Sequence, residues 1–346
     1  MTNVTIGIDL GDKNHEVCVL NLDGEIVERF SVKNTRTQLR KEFKRFLAPV
    51  IAIETGTHSP WISRELSAMG ARVLVGNARK IRAIWANSQK TDVRDAEMLA
   101  RIARVDEKLL CPVYHRSEQA QVDLETIKAR NTLVGVRTDL INHVRGVVKS
   151  LGERLPACSS DCFHKRADVY MPDKLRDTLK PLVDQIASLT DQIHAYDKKI
   201  EQLATVSYPE TACLRQIQGV GVLTSLAFIL TLESSDRFET SRSVGPYLGL
   251  TPRHDQSGQC DKQLGITKEG NVYLRRLLVN CSQYILGHWG QDSDLRRYGQ
   301  RLTARGGKAA KRKAVVAVAR KLAVLLHRLW STGEIYQPLY NANKAA

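Results

Sequence analysis

Strand-like and helix-like patterns alternate through the first third of this sequence in an order that few folds share. Residues 4–10 form an apolar run rich in branched side chains that ends at Gly11, which is typical of a buried strand. Residues 16–22 and 25–32 predict two further strands, because Asp23-Gly24 between them favours a two-residue hairpin turn. The chain is therefore expected to begin with three antiparallel strands.

Helices then separate the strands that follow. Residues 35–47 and 61–69 have helical spacing, residues 50–54 and 72–75 are typical of strands, and a helical pattern resumes at Ala78. The order β-β-β-α-β-α-β-α is that of an RNase H-like (RuvC-like) fold. The predicted class is thus α/β in this part of the chain and α in the rest. Folds of this kind place acidic residues at the ends of adjacent central strands.

Four acidic residues fall where that architecture would bring them together. Asp9 lies near the end of the first strand and Glu54 is the last residue of the fourth, so pairing of these strands would set them side by side. Asp92 and Asp95 are three residues apart, which puts both on one face of a helix. Converging carboxylates repel one another, and Mg²⁺, which prefers oxygen ligands, relieves that repulsion. Two such ions about 3.5–4 Å apart stabilise the attacking and leaving oxygens at a phosphate.

Each acid also has an ordinary structural explanation. Asp9 could form a turn, Glu54 could pair with a nearby Lys or Arg, and the other two could be helix N-terminal acids favoured by the helix dipole. Residues 6–11 also resemble the first phosphate loop of actin-like ATPases and sugar kinases. However, Asp12 follows where those proteins usually carry a small hydroxyl residue, and no second strand-hairpin set appears later in the sequence. Metal-assisted phosphate chemistry is therefore the favoured interpretation.

The charge balance indicates a polyanionic partner. The 52 Lys and Arg exceed the 37 Asp and Glu by 15, and each phosphate that a cation neutralises releases condensed counterions. The excess is uneven, because residues 295–333 contain eleven Lys or Arg and no acid. A solvated basic face is the alternative explanation, and nucleic acid is the favoured partner.

A helical arm is predicted in the middle of the chain. Residues 118–153 have helical spacing, and residues 175–203 carry apolar side chains in alternating steps of four and three, a heptad seam interrupted only by Pro181. The seam could pack on the first helix of the same chain or on another copy in a homodimer. Between the two helices lie Cys158, Cys162 and His164, but without a convincing fourth ligand zinc is disfavoured.

Cysteine usage and hydropathy indicate where the protein works. The seven Cys are an odd number, and the sequence starts with a strand pattern where an export segment would be apolar and longer. No run approaches about 20 apolar residues, and the stretch 314–326 is broken by Arg320 and Lys321. A reducing, cytoplasmic setting without a membrane span is expected.

Glycine-rich turns mark the C-terminal part of the chain. Residues 217–225 resemble a helix-hairpin-helix turn, in which backbone N–H groups around Gly219 and Gly221 would meet a DNA phosphate without reading sequence. Gly and Pro residues between 247 and 271 predict loops, with basic residues among them. Ser257 falls in one such polar loop, and composition alone does not distinguish a nucleophile there from a turn residue.

These motifs together resemble the DEDD transposases of the insertion-sequence-110 family, the bridge-RNA-guided serine recombinases of bacterial mobile elements. The resemblance covers nearly the whole chain. Two departures are small: Gln256 precedes the serine where a second serine is common, and the basic tail is long. The motifs that carry the resemblance are Gly7-Ile8-Asp9, Ile53-Glu54-Thr55-Gly56, Lys90-Thr91-Asp92 with Asp95-Ala96, Gly219-Val220-Gly221, Gly249-Leu250-Thr251-Pro252, Gln256-Ser257-Gly258, and Ile266-Thr267-Lys268 through Arg275-Arg276.

The resemblance implies four functional regions along the chain. A RuvC-like catalytic domain would occupy residues 1–115, a coiled-coil arm 116–206, a transposase domain 207–295 and a basic helical tail 296–346. Asp9, Glu54, Asp92 and Asp95 would bind Mg²⁺, and Ser257 would attack DNA and become joined to a phosphate. A structured noncoding RNA would pair with donor and target DNA. The expected nucleic-acid contacts are Gly219, Gly221, Thr224, Arg253, Lys268, Asn271, Arg275, Arg276, Lys311, Arg312 and Lys313.

The function expected from all of this is RNA-guided transposition that cuts and rejoins DNA through a phosphoserine. The first alternative is a Mg²⁺-dependent junction nuclease that cuts by hydrolysis, with Ser257 as a bystander. A nucleic-acid-binding protein with a degenerate site is a third class, against which the four intact acids argue. Because Ser257 is remote in sequence from the acids, the active site could be a composite one, formed within one chain or across a dimer. The protein is expected to form a homodimer that assembles to a tetramer, in the bacterial cytoplasm near the nucleoid.

Overall fold

The computed structural model describes residues 4–81, 91–257 and 260–341, without the side chains of residues 254–263. The chain divides into two compact units, Met1–Glu118 and Gln119–Ala346. The first unit mixes strands and helices, and the second is mostly helical with one two-stranded hairpin.

A five-stranded mixed sheet forms the centre of the first unit. The strands have the spatial order β3-β2-β1-β4-β5, with β1–β2 and β2–β3 antiparallel and β1–β4 and β4–β5 parallel. This topology is consistent with the expected RNase H-like fold, and all five predicted strands are confirmed. Their bounds are β1 Thr5–Asp9, β2 Asn14–Leu20, β3 Ile26–Lys33, β4 Val50–Glu54 and β5 Arg72–Gly76.

Helices cover both faces of this sheet. On one face, α1 (Arg36–Phe43) and α2 (Ser59–Ala68) bury Leu39 and Ile62 against Ile6 and Ile53. The other face carries α3 (Asp92–Val105), whose Leu99 packs with Ala52. The helix predicted from Ala78 onward is wrong over its first residues, because 78–80 form a turn in which Asn77 accepts backbone N–H groups, and residues 82–90 lie outside the described ranges.

Gly7 allows α3 to lie directly on β1. A Cβ atom built on Gly7 would stand 2.5 Å from the backbone nitrogen of Ala100 and closer still to the carbonyl oxygen of Ala96. No side chain fits in that space, so strand and helix are in backbone contact. The small Ala96 and Ala100 side chains fill the rest of this interface together with Cys18 and Leu20.

The second unit begins with a helical arm. The long helices α4 (Glu118–Ser150) and α6 (Asp173–Gln202), with the short α5 (Phe163–Tyr170) between them, bury one another's apolar residues. Val144 and Val148 of α4 pack in the same cluster as Leu179 and Ile186 of α6, so the predicted seam is used within the chain. Pro181 lies inside α6 without ending it.

The rest of this unit shares one core. Helix α8 (Val222–Leu232) is almost wholly buried and packs against α10 (Val272–Leu286) and α12 (Gly307–Thr332), with Phe228, Leu278 and Leu322 at the centre. The helix predicted at 314–326 is confirmed and extends over the whole of α12. The element bounds are α7 Thr211–Leu214, α8 Val222–Leu232, α9 Val244–Tyr247, β6 Pro252–Ser257, β7 Cys260–Ile266, α10 Val272–Leu286, α11 Asp294–Thr303 and α12 Gly307–Thr332. Within the described ranges, none of the helices is both long and apolar enough to cross a membrane.

Candidate active site and nucleic-acid interface

Asp9 and Glu54 lie at the same edge of the sheet. Each is the last residue of its strand, and β1 and β4 run parallel with Ile8 opposite Ile53. Extending that register by one residue sets Asp9 beside Glu54 on strands about 4.8 Å apart. Both residues are half-buried. The adjacency expected from the sequence is therefore present in the backbone.

Helix α3 directs Asp92 and Asp95 toward that same edge. At the opposite end of the helix, Nε of Arg104 donates to the carbonyl of Leu22 over 3.2 Å, just beyond the end of β2 that pairs with the start of β1. The helix therefore runs antiparallel to β1, with its first turn toward the Asp9 end. Thr91 caps this turn by accepting the backbone N–H of Arg94.

The donor chemistry at this edge suits a divalent cation. Among the described residues, no group of three or more His, Cys, Asp or Glu side chains is arranged to hold a metal ion. The acids nonetheless carry the carboxylate oxygens that Mg²⁺ prefers, and they come from two adjacent strand ends and one helical turn. Asp95 is buried and Asp92 is exposed, and the N-terminal end of the helix dipole favours both carboxylates.

A histidine–aspartate pair connects the two loops that follow Asp9 and Glu54. Nε2 of His58 lies 2.9 Å from Oδ1 of Asp12, and Nε1 of Trp61 lies 3.4 Å from Nδ1 of His58. The indole N–H only donates, so Nδ1 accepts and Nε2 carries the proton that His58 donates to Asp12. Asn34 holds the same loop by donating to the carbonyl of Asp12 over 3.0 Å.

A second polar contact fixes the turn after Glu54. The hydroxyl of Ser59 donates to the carbonyl of Gly56 over 2.8 Å and accepts the Gly56 N–H over 3.0 Å. Nε2 of His115 lies 2.9 Å from the same hydroxyl, and burial, aided by Arg64 and Arg116, lowers the pKa of His115. No sequence pattern indicated a role for these residues, although His58 and Ser59 lie within three positions of the Glu54-Thr55-Gly56 motif.

Ser257 is the last residue of β6, at the turn end of the hairpin. The backbone register pairs Ser257 with Cys260 of β7. The expectation of a polar loop is therefore corrected: the residue ends a strand, because β6 and β7 pair through mostly polar residues that gave no alternating apolar signal. Its side chain lies outside the part of the chain that is described.

The glycine turn at residues 217–221 is built by close packing. Gly219 has a φ of +92°, and a Cβ there would stand 2.7 Å from Cδ1 of Tyr284. Gly221 is the N-cap of α8 in an extended conformation. Thr224 is buried, with its hydroxyl 3.5 Å from Sγ of Cys281, so it faces the protein core.

Arg275 and Asn271, like Thr224, are expected from the sequence to contact nucleic acid but form hydrogen bonds within the protein. Nη1 of Arg275, a buried side chain, donates to the carbonyls of Leu248 at 2.9 Å and Glu269 at 2.6 Å, and burial lowers the pKa of Arg275. Asn271 is the N-cap of α10 and accepts the backbone N–H of Leu274 at 2.9 Å. Both residues therefore shape the start of α10.

The remaining expected contacts are more accessible. The guanidinium of Arg276 lies 5.1 Å from the ring centre of Tyr273 and also donates to Asn131. Lys268, with a φ of +59°, is exposed, as are Arg253 and the three consecutive basic residues Lys311, Arg312 and Lys313 near the start of α12. These side chains are available to a polyanion.

Cys158 and Cys162 lie in the segment between α4 and α5, and His164 lies in the first turn of α5. Sγ of Cys158 is 3.5 Å from Nη2 of Arg145, and Cys162 is exposed. In the described structure these three side chains are not arranged around a common metal position.

Comparison with known proteins gives matches to one group of proteins over most of the chain. A family model for DEDD transposases of the IS110 type matches residues 6–152, and a model for transposases of the IS116/IS110/IS902 family matches residues 211–300. The chain is 25% identical to the transposase for insertion sequence element IS1111A of Coxiella burnetii, over 96% of this chain and 91% of that protein. It is 26% identical to a probable family 20 transposase of Pseudomonas aeruginosa, over 96% and 98%, and 27% identical to the transposase for element IS1328 of Yersinia enterocolitica, over 82% and 84%. The chain belongs to the IS110 family of DEDD transposases, enzymes that act on DNA.

Proposed function

We propose that this transposase cuts and rejoins DNA through a covalent phosphoserine at Ser257, with Asp9, Glu54, Asp92 and Asp95 binding Mg²⁺. The observation that carries the proposal is the placement of Asp9 beside Glu54, with the first turn of α3 directed to the same edge. An RNase H-like fold in which two adjacent strands end in acids is suited to charge stabilisation at a phosphate. Mg²⁺, when bound, would supply that stabilisation.

The covalent step exchanges one phosphate ester for another. The Ser257 hydroxyl oxygen attacks phosphorus, the bond from phosphorus to the 3′ oxygen breaks, and the proton lost by serine is balanced by one gained at the 3′ hydroxyl. In the reverse sense, a 3′ hydroxyl of the exchanged strand attacks the phosphoserine and releases the serine. No water or energy-rich cofactor is consumed, which is why rejoining needs no ligase.

We further propose that a structured noncoding RNA selects the DNA sites. Support comes from the net charge of +15, which favours polyanionic partners whose phosphates are held without reading bases. Base pairing between RNA and DNA would then supply the sequence specificity, as it does in other RNA-guided enzymes. The working unit would be a homodimer that assembles to a tetramer.

The Ser257→Ala variant tests the nucleophile. Wild-type protein incubated with DNA carrying its insertion site and Mg²⁺ should form protein–DNA adducts that survive denaturation, and Ser257→Ala should form none while still binding nucleic acid. Ser207→Ala, at an exposed serine outside the hairpin, serves as the matched control. Adducts that persist in Ser257→Ala would show that another group is the nucleophile.

The Asp9→Asn and Glu54→Gln variants test the proposed role of these acids in binding Mg²⁺. Glu97→Gln, which removes a carboxylate with no proposed catalytic role from the same unit, is the control. Glu97, on α3, forms ion pairs with Arg101 of the same helix and with Arg29 of β3. Hydrogen bonding from Arg101 lowers the pKa of the Glu97 carboxyl group. The first two variants should lose Mg²⁺-dependent cleavage by about 10²-fold or more, because each removes charge stabilisation at the phosphate. Nicked ends without adducts in wild-type reactions would favour the hydrolytic junction nuclease.

A further inference from the structure

A groove of about 2510 Å³ lies within the second unit and has no role in the proposed chemistry. Helices α11 and α12 form much of its wall, and the end of β7 and the segment after α12 complete it. All of these elements belong to the unit Gln119–Ala346, so the groove does not depend on the position of the other unit.

The lining of the groove is strongly cationic. Two acids, Asp294 and Glu334, oppose nine basic residues: Arg242, Arg297, Arg301, Arg305, Arg312, Lys313, Arg320, Lys321 and Arg328. Only some of this charge is neutralised within the described ranges, where Arg297 pairs with Asp292 at 2.7 Å and Arg328 pairs with Glu334 at 2.9 Å. A groove with this excess attracts a polyanion.

Four of these cations are exposed and are not held by a carboxylate. Arg301, Arg305, Arg312 and Lys313 are exposed, and among the residues described here none of them has an acidic oxygen within 4.0 Å. They extend from the second half of α11 to the start of α12. Several such cations, on two consecutive helices and the turn between them, suit a chain of phosphates better than a single anion.

The same groove also has an apolar and aromatic lining. Leu264 and Ile335 are 42% and 82% exposed, and Tyr298, Tyr336 and Tyr340 contribute ring surface. Nζ of Lys321 lies 4.0 Å from the ring centre of Tyr298, so cation and ring already share one surface. A DNA duplex presents phosphates outward and keeps its base faces stacked inside, whereas a single strand offers those faces to aromatic side chains.

We propose that this groove binds a single DNA strand that is separated from its partner during strand exchange. Phosphates would lie against Arg301, Arg305, Arg312 and Lys313, and unstacked bases would contact Tyr298 and the exposed apolar side chains. The choice of DNA rests on the function proposed above, because cutting and rejoining two duplexes requires that their strands part. The binding itself requires neither the four acids nor Ser257.

Fluorescence anisotropy on the full-length protein tests this proposal. The probes are a labelled single-stranded DNA of about 12 nucleotides, within the usual site size of such grooves, the RNA of the same sequence, and the corresponding DNA duplex. Wild type should bind the single DNA strand at least tenfold more tightly than the duplex and more tightly than the RNA. Equal or tighter binding of the duplex would overturn the proposal, and tighter binding of RNA would overturn the assignment to DNA.

Variants separate the phosphate and base contacts. Arg301→Gln/Arg305→Gln should weaken binding of the single strand at least tenfold and reduce the slope of log affinity against log salt by about 1.4, which is the value for two lost phosphate contacts. Tyr298→Leu should weaken single-strand binding at least fivefold with little change for the duplex, because stacking is lost. Lys165→Gln/Arg166→Gln removes the same charge from exposed positions on α5 and should have little effect.

A further measurement separates this proposal from the proposed catalytic function. Asp9→Asn should bind the single strand as the wild type does, since the groove lies in the other unit. The cleavage and adduct assays could fail while wild type still prefers the single strand and the groove variants still lose that preference. The groove would then be supported as a single-strand binding site independently of the proposed chemistry. If the control double variant weakens binding as much as Arg301→Gln/Arg305→Gln, general charge explains the binding and the groove assignment is wrong.

Discussion

His58 donates a hydrogen bond from Nε2 to Asp12, 2.9 Å away, and so joins the loop after β1 to the loop after β4. These loops directly follow Asp9 and Glu54. His58→Ala should lower the rate of Mg²⁺-dependent DNA cleavage roughly 10- to 100-fold, because small displacements of reacting groups have effects of that size. Single-turnover cleavage at saturating DNA measures this rate. His58→Gln, whose amide nitrogen reaches about as far as Nε2, should recover most of it, and an unaltered rate in His58→Ala would show that this contact does not position the acids.

Gly7→Ala should destabilise the first unit. The added Cβ would collide with the backbone of α3 at Ala96 and Ala100, and overpacking of this kind typically costs about 1–3 kcal/mol. Urea denaturation measures the loss in free energy of unfolding. The matched control is Gly56→Ala in the same unit, where a Cβ would meet no atom within 4 Å and stability should stay nearly unchanged. Equal stability of both variants would show that α3 and β1 are not in close backbone contact at Gly7.

The stability of the first unit should fall as the pH drops from about 7.5 to 5.5. His15 is fully buried, and burial, with His58 nearby, lowers its pKa, while Asn34 opposes the shift. The pKa of His115 is also lowered. Each group stays neutral in the folded state at a pH where the unfolded chain takes up a proton, so stability is complete above the unfolded pKa of about 6.5 and is lost below it. Each contributes a slope of at most about 1.4 kcal/mol per pH unit.

Urea denaturation of wild type and His15→Leu at several pH values in this window measures the effect. The variant should show a shallower dependence of the free energy of unfolding on pH, whatever its absolute stability. An identical slope in both proteins would show that His15 is not the titrating group.

Removal of Asp161 should destabilise the helical arm more than removal of its partner Arg137. Arg137 is buried between α4 and α6, and its Nη1 donates to Oδ1 of Asp161 at 2.6 Å and to the hydroxyl of Thr190 at 3.2 Å. Asp161→Ala leaves a buried cation with a lost acceptor, at a cost of about 1–3 kcal/mol. Arg137→Met replaces the cation with an apolar chain of similar length and should cost less. Chemical denaturation of both variants decides the order, and the reverse order would contradict the reasoning.

Local patterns predicted the elements that carry the acids. The apolar runs before Asp9 and Glu54 are buried strands, and parallel pairing then follows from the order of helices and strands. Asp92 and Asp95 fall in the first turn of a capped helix, as their spacing and the preceding Thr91 indicate. Sequence was sufficient here because a continuous apolar run in a buried strand, like burial on a 3.6-residue period in a helix, leaves a visible signature.

Contacts between distant residues left no such signature. His58 and Asp12 are 46 positions apart, and neither residue type at its position signals the other. Arg275 is of a residue type that commonly contacts phosphates. Its guanidinium instead donates hydrogen bonds to the backbone carbonyls of residues 248 and 269. The hairpin of β6 and β7, whose first strand ends at Ser257, pairs mostly polar residues. Neither strand therefore shows the apolar alternation by which a half-buried strand is recognised.

The backbone contact at Gly7 sets which changes in sequence the acidic edge can tolerate. Since peptide groups of β1 and α3 touch without a side chain between them, the spacing between the backbones that carry Asp9 and Asp95 is set by this backbone contact. Substitutions elsewhere in the core can therefore accumulate without altering that spacing. Insertion of a single residue between Asp95 and Ala96 is a different matter, because it would turn the carboxylate by about 100° around the helix axis. Insertions and deletions should therefore disturb this part of the enzyme more than substitutions do.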